Sequence, residues 1–402
     1  MNKGFLKAGH LPTLFAAFLY FDLSFMVWVL LGPLGVQIAT DLGLDAAQKG
    51  LMVATPVLAG ALLRIVCGLA VDHIGPKRTA IVAQLLVIAG LLVAWVLGVD
   101  SFSQTLVVGI VLGLAGASFA VALPLASGWY PPEHQGTALG IAGMGNSGTV
   151  FAALFAPTLA KFFGWNAVLG LAVIPLAIVF MIYMIYAKNA PNPPAAKPVT
   201  AYLEPLRKAD AWWFMFFYSV SFGGFVGLSS SLSIYFTDQF GLTPVMAGYF
   251  TAGCVFAGSM IRPVGGAVAD RLGGTKALTV AYLLAALTLS AISTGPATVW
   301  LALALFLVAM LALGFGNGAV FQLVPQRFKE EIGVMTGLVG FAGGVGGFYL
   351  ASSLGLAKQL TGSPQLGFLI FAGLAAIALG GITIVKGRWR STWASALAGA
   401  RI

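Results

Sequence analysis

Two arginines stand where arginine is expensive. Of the 21 lysines and arginines in the chain, only Arg64 and Arg262 fall inside long apolar runs. Of the twelve acidic residues, only Asp22 lies well inside one. Each arginine sits six to eight residues from the end of its run. That is ~10 Å along a helix, approaching the middle of a ~30 Å hydrocarbon layer. An ionisable group at that depth is costly and needs a task. Guanidinium does not shed its proton, so two of them facing one cavity repel until something negative joins them. One carboxylate cannot neutralise both. A monovalent anion lowers the repulsion, and the planar fork of guanidinium donors suits a flat, oxygen-rimmed ion. The ordinary alternative is that each arginine pairs with a carboxylate or with backbone carbonyls. Asp22 has three readings: a protonation site that couples uptake to protons, a partner for an arginine, or part of the outer vestibule.

Other chemistries find no footing. No His/Cys/Asp/Glu cluster has metal-ligand spacing, and no nucleophile–base pair, phosphate loop or cofactor motif is readable. Cys67 and Cys254 lie in apolar runs and read as buried thiols. A membrane-embedded enzyme or sensor is therefore disfavoured. So is a nucleotide-driven pump, which leaves an ion or substrate gradient as the energy source.

The elements that must position these residues follow from composition. The 402-residue chain is 59% hydrophobic and only 8% charged, against about 25% charged in soluble domains. Such a surface has lipid as its natural solvent. Apolar runs of ~20 residues match spanning helices, not the ~10-residue alternation of membrane strands. Twelve helices are predicted: 11–35, 49–70, 79–98, 105–127, 137–163, 166–187, 211–236, 246–269, 277–295, 298–325, 334–360 and 364–386. The Pro- and Lys-rich stretch 188–210 reads as a cytoplasmic linker. It separates a first six-helix bundle (1–187) from a second bundle with a short cytoplasmic tail (211–402). The first apolar run follows Lys3 and Lys7 but is too long for a signal peptide and contains Asp22, so a retained helix is expected. With both termini in the cytoplasm, 16 basic residues fall on that side, among them Lys197, Lys329 and Arg401, and three (Lys49, Lys161, Lys358) on the other. The positive-inside rule supports this orientation. It also explains the net charge of +9 without nucleic acid.

The two halves repeat each other. At an offset of 198, Gly60, Arg64, Gly68, Asp72 and Gly75 meet Gly258, Arg262, Gly266, Asp270 and Gly273. TALGIAGMGNSG (137–148) matches TGLVGFAGGVGG (336–347). Duplicated six-helix units place their substrate site at the repeat interface near mid-membrane. The loop Gly68-x-x-x-Asp72-His73-x-Gly75-x-Lys77-Arg78, echoed by Gly266-x-x-x-Asp270-Arg271-x-Gly273, resembles the helix 2–3 motif of the major facilitator superfamily. Its glycines allow a tight turn, and its charges form a latch that changes partners as the halves rock. His73 stands where the first copy usually has Arg, which predicts a weaker or pH-sensitive latch.

Narrower features resemble the nitrate/nitrite porter family over essentially the whole chain. They are AGMGNSG (142–148), GLVGFAGGVGG (337–347), the lone arginine in helices 2 and 8, FDLSFMVWVLLGPL (21–34) and YSVSFGGFVGLS (218–229). The resemblance implies an all-α, twelve-helix carrier that works by alternating access, as a monomer without cofactor, in the bacterial inner membrane. Its substrates would be nitrate and nitrite, driven by protons or by exchange. It further implies a planar anion held between Phe119 and Phe222, near Tyr218 and Asn146. Tyr218 and Phe222 are four apart and share a helix face. Gly140, Gly143, Gly145, Gly343, Gly344, Gly346 and Gly347 are expected to allow close helix approach or bending. The same fold carrying a small organic anion such as formate or oxalate is the alternative.

Overall fold

The computed structural model describes residues 3–191, 200, 203–328 and 331–393. Parts of the predicted linker, the tail from 394, Lys197, Lys329 and Arg401 lie outside them. Among the described residues there are no strands, and twelve helices are long and apolar enough to cross a membrane. They are α1 (Leu11–Leu42), α2 (Ala46–Ile74), α3 (Pro76–Leu97), α4 (Phe102–Ser127), α5 (Ala138–Phe163), α6 (Trp165–Tyr186), α7 (Ala209–Phe240), α8 (Pro244–Leu272), α9 (Gly274–Ser293), α10 (Val299–Arg327), α11 (Ile332–Thr361) and α12 (Gln365–Thr392). Every predicted span overlaps one of these. Helix α1 runs on past the apolar stretch to Leu42 because its polar end is satisfied by neighbours. Gln37 Nε2 donates to the Pro157 carbonyl at 3.2 Å, and Trp165 Nε1 donates to Asp41 at 2.7 Å.

Large apolar side chains such as Leu97, Leu360 and Ile384 face outward, each about three-quarters exposed. Lipid is as apolar as the interior, so close packing of small residues must hold the helices together. A Cβ on Gly314 of α10 would stand 1.9 Å from the Gly258 carbonyl oxygen of α8. On Gly346 of α11 it would stand 2.0 Å from the Ser219 oxygen of α7. The repeated loops are single-residue joints. Gly75 (φ +84°) links α2 to α3, and Gly273 (φ +99°) links α8 to α9. Positive φ at both places explains glycine there. His73 turns its Nδ1 onto the Leu69 carbonyl of its own helix, 2.8 Å away.

The two halves meet closely at the end of the bundle that carries the α1–α2, α7–α8 and α11–α12 joints. Gly50 of α2 lies against Gly355 of α11, and Gly32 of α1 against Ser230 of α7. Gly248 of α8 lies against Ala153 of α5. The Ala46 amide donates to Gln359 Oε1 at 3.2 Å. Asp238 of α7 accepts from Lys49 of α2 at 3.0 Å and from Lys358 of α11 at 2.5 Å. One carboxylate thus ties the first half to the second. These groups are partly exposed, so the tie contributes roughly 0.5–1 kcal/mol. We expect Asp238→Asn to loosen this end. In a background without Cys67 and Cys254, a cysteine replacing Ser231, which lines the cavity beside Asp238, should react with a polar maleimide roughly threefold faster. An unchanged rate would show that the ion pair does not hold the end shut.

Candidate functional site

The helices break where the predicted site residues gather. In α4 the Ala120 amide bonds to the Ala117 carbonyl instead of Gly116, which leaves the Gly116 carbonyl free. Arg64 Nε takes it, at 3.2 Å. In α8 the α-helix is interrupted at Ile261, and Arg262 with Pro263 begins the next segment. Proline lacks the amide hydrogen that would continue the ladder. In α5 the turn Met144–Ser147, which contains Asn146, is a 3₁₀ turn, a common hinge geometry.

Arg64 is 1% exposed. Its guanidinium carbon lies 5.2 Å from the Trp28 ring centroid, 5.3 Å from Phe119 and 5.2 Å from Phe222. Its Nη1 donates to the Gly340 carbonyl of α11 at 2.6 Å, across the two halves. Backbone carbonyls and ring faces partly offset the cost of burying the charge. The backbone-carbonyl alternative therefore accounts for two of its donors, while Nη2 is buried without a hydrogen-bond partner. Arg262 reaches the Tyr218 hydroxyl at 3.5 Å, and its Nη1 is also buried without a partner. Neither arginine makes an ion pair among the described residues.

Tyr218 and Phe222 stack with centroids 5.0 Å apart and planes 5° apart. Phe321 of α10 joins the two arginine environments. Its ring lies 5.8 Å from the Arg262 guanidinium, 5.0 Å from Tyr218 and 6.0 Å from Phe119. Arg64, Arg262, Phe119, Tyr218 and Phe222 are thus brought into one cluster. Phe119 and Phe222 flank the Arg64 guanidinium itself. Asn146 is buried, with Oδ1 unpartnered. Its carbonyl accepts from Ser259 of α8 at 3.5 Å, which places it between the halves.

Asp22 makes no ion pair with either arginine among the described residues. Its Oδ1 accepts from the Ser147 hydroxyl of α5 at 2.6 Å. The glycine expectations divide. Gly343 makes room for Tyr218, whose ring would lie 2.7 Å from a Cβ there, and Gly344 meets Ala61 of α2 at 2.5 Å. Gly145 packs on the Phe21 ring at 2.4 Å. Gly140 and Gly143 have open space around a Cβ, so close approach does not require glycine at those two. Sequence reasoning missed Trp28, Phe321, Ser147 and the carbonyls of Gly116 and Gly340. Trp28 lay inside the quoted segment 21–34. Nothing in the sequence distinguishes Phe321 from the 28 other phenylalanines, and a backbone acceptor carries no sequence signal.

The chain is similar to known carriers. A family model described as Major Facilitator Superfamily matches residues 14–351. A probable nitrate/nitrite transporter, NarK2 of Mycobacterium tuberculosis, is 35% identical over 88% of this chain and 91% of its own. A nitrite extrusion protein of Bacillus subtilis is 32% identical over 88% of each chain. A probable nitrate/nitrite antiporter, NarK1 of Thermus thermophilus, is 30% identical over 92% of this chain and 90% of its own. A solved bacterial homolog of the human lysosomal transporter Spinster, inward-facing and occupied, superposes with a TM-score of 0.72. It is 16% identical and covers 96% of this chain and 98% of its own, a likeness of fold alone.

Proposed function

This chain belongs to the major facilitator superfamily, and we propose that it carries nitrate and nitrite across the bacterial cytoplasmic membrane by alternating access. One observation carries the reading. Each half supplies one intramembrane guanidinium to a shared aromatic cluster, and each guanidinium keeps a buried nitrogen without a partner. With no carboxylate paired to either among the described residues, a monovalent anion is the counter-charge that fits. Guanidinium donors match a planar oxyanion, and ring faces select against a tetrahedral one by shape. The Arg64–Gly340 hydrogen bond crosses the halves, so an entering anion competes with the Gly340 carbonyl for Arg64. That competition links occupancy to the fit between halves.

Both termini face the cytoplasm in this reading, with bundles 1–187 and 211–402 joined by 188–210, and the carrier works as a monomer. The end tied by Lys49, Asp238 and Lys358 is then the outer one. Asp72 with Arg78 and Asp270 with Arg271 latch the cytoplasmic end. The names of the relatives include both transporter and antiporter, and coupling is by proton symport or by nitrate/nitrite exchange.

The test is nitrate uptake into proteoliposomes, with and without internal nitrite, each with and without an inward proton gradient. Uptake in any arm, resistant to excess formate, supports the reading. Uptake abolished by formate moves the substrate to small carboxylates, and no nitrate movement sinks the proposal. Asp22, buried against a hydroxyl rather than a cation, is the proton-coupling candidate. A carboxyl that must be protonated for the inward stroke gives uptake that rises as external pH falls. Asp22→Asn should flatten that rise and leave nitrate/nitrite exchange intact. Proton-driven uptake of normal size in Asp22→Asn would end the coupling role.

A further inference from the structure

A polar atom buried without a partner in a membrane interior calls for an explanation. Several such atoms occur among the described residues, and four of them belong to the two arginines and to the two fully buried asparagines. The first half supplies Arg64 Nη2 and Asn146 Oδ1, and the second supplies Arg262 Nη1 and Asn317 Oδ1. Asn317, on α10, is 1% exposed and has no part in the reading above.

Its position follows from the faces of α10. Gly314 and Gly318 press on α8, where a Cβ would stand 1.9 Å from the Gly258 oxygen and 2.2 Å from the Arg262 oxygen. Gly316 faces α7 and α9, with the Cβ atoms of Ser221 and Ala281 at 3.2 and 3.4 Å. Asn317 lies between those two faces, three residues on from Gly314 and next to Gly318, at the border with α8. Phe321 lies four residues on, and residues four apart share a helix face. Phe321 is the ring that touches Arg262, Tyr218 and Phe119. Asn317 therefore stands one turn along α10 on the face that carries the aromatic cluster.

We propose that Asn317 is a substrate-contacting residue that donates its carboxamide NH₂ to an oxygen of the anion held by the two arginines. The inference rests on the nitrate/nitrite reading and extends it. Each half then offers one guanidinium and one carboxamide. The terminal torsion of Asn is roughly two-fold, so the side chain can present its NH₂ or its carbonyl to the cavity, and an anion selects the NH₂. A neutral donor adds a contact without a third positive charge, which keeps the site matched to a monovalent ion.

The test uses purified full-length protein with Asn317→Leu, which has the same branching and number of heavy atoms but no polar ones. The readouts are nitrate KM and kcat in proteoliposomes and Tm in detergent with and without nitrate. The expected result is a KM raised about tenfold with kcat changed little, as for a lost uniform contact. The nitrate-induced rise in Tm should shrink with it. The Tm of the empty protein should hold or rise, because a buried polar group without a partner has been removed. Unchanged KM and unchanged nitrate-induced Tm shift would overturn the proposal. Loss of folded protein would also overturn it, by making Asn317 a structural residue. Wild-type protein that neither binds nor moves nitrate defeats the parent reading instead, and that failure appears in the control arm.

Discussion

Arg64→Lys is expected to lower nitrate kcat/KM about a hundredfold or more, roughly 3 kcal/mol, while the protein remains folded. The reason is directional. Arg64 uses three separate nitrogens: Nε on Gly116, Nη1 on Gly340, and Nη2 left over. Its plane also lies among three rings at 5.2–5.3 Å. An ammonium has one nitrogen on a flexible stem and no plane to stack. It can satisfy the carbonyls or meet an anion, but not both in the same geometry. A buried lysine can also lose its proton and its charge, which arginine does not. Arg262 makes fewer contacts, with the Tyr218 hydroxyl at 3.5 Å and the Phe321 ring. Arg262→Lys should therefore cost less, about tenfold. Proteoliposome uptake, normalised to protein in a monodisperse size-exclusion peak, decides the matter. Activity of Arg64→Lys within threefold of wild type would remove the arginine clamp from the mechanism.

The second large effect is on folding. Gly148→Val should cost about 3 kcal/mol or more and leave little folded carrier. A Cβ at Gly148 of α5 would stand 1.6 Å from the Asp22 carbonyl oxygen and 2.6 Å from the Asp22 carbonyl carbon. Both are backbone atoms of α1, so no side chain can turn aside and the helices themselves must separate. Separation would pull the Ser147 hydroxyl from Asp22 and leave a carboxyl buried without its partner. It would also move the 3₁₀ turn that holds Asn146. Gly143→Ala is the matched control, because a Cβ there meets nothing within 4 Å. Thermal unfolding in detergent should separate the two clearly. Equal Tm values would show that α1 and α5 do not pack as described.

The two measurements separate two kinds of glycine in one sequence run. Gly143 and Gly148 belong to the same segment, and pattern alone gives them the same reading. Only the neighbour across the helix interface tells them apart. The same holds for the phenylalanines. Phe119 and Phe222 were singled out by resemblance and stand beside Arg64, whereas Phe321 bridges both arginine environments without any mark in the sequence.

The amino-acid sequence by itself determined the solvent and the plan. Apolar runs of spanning length, interrupted by charge, leave helices in lipid as the one economical structure, because every backbone group must bond within its own segment. The 198-residue repeat determined that Arg64 and Arg262 come as a pair, one from each half. It also placed glycine at both joints, Gly75 and Gly273, where the backbone takes a positive φ. Tertiary structure decided what those residues touch. Asp22 and the arginines are equally rare charges in the sequence, yet Asp22 faces a hydroxyl on α5 while Arg64 takes a carbonyl that a break in α4 sets free. A break in a helix, and the carbonyl it releases, is a property of packing between segments far apart in the chain. The physical reason is range. Hydropathy and charge act residue by residue and are written in the sequence, whereas the orientation of a buried polar group depends on which neighbour can satisfy it.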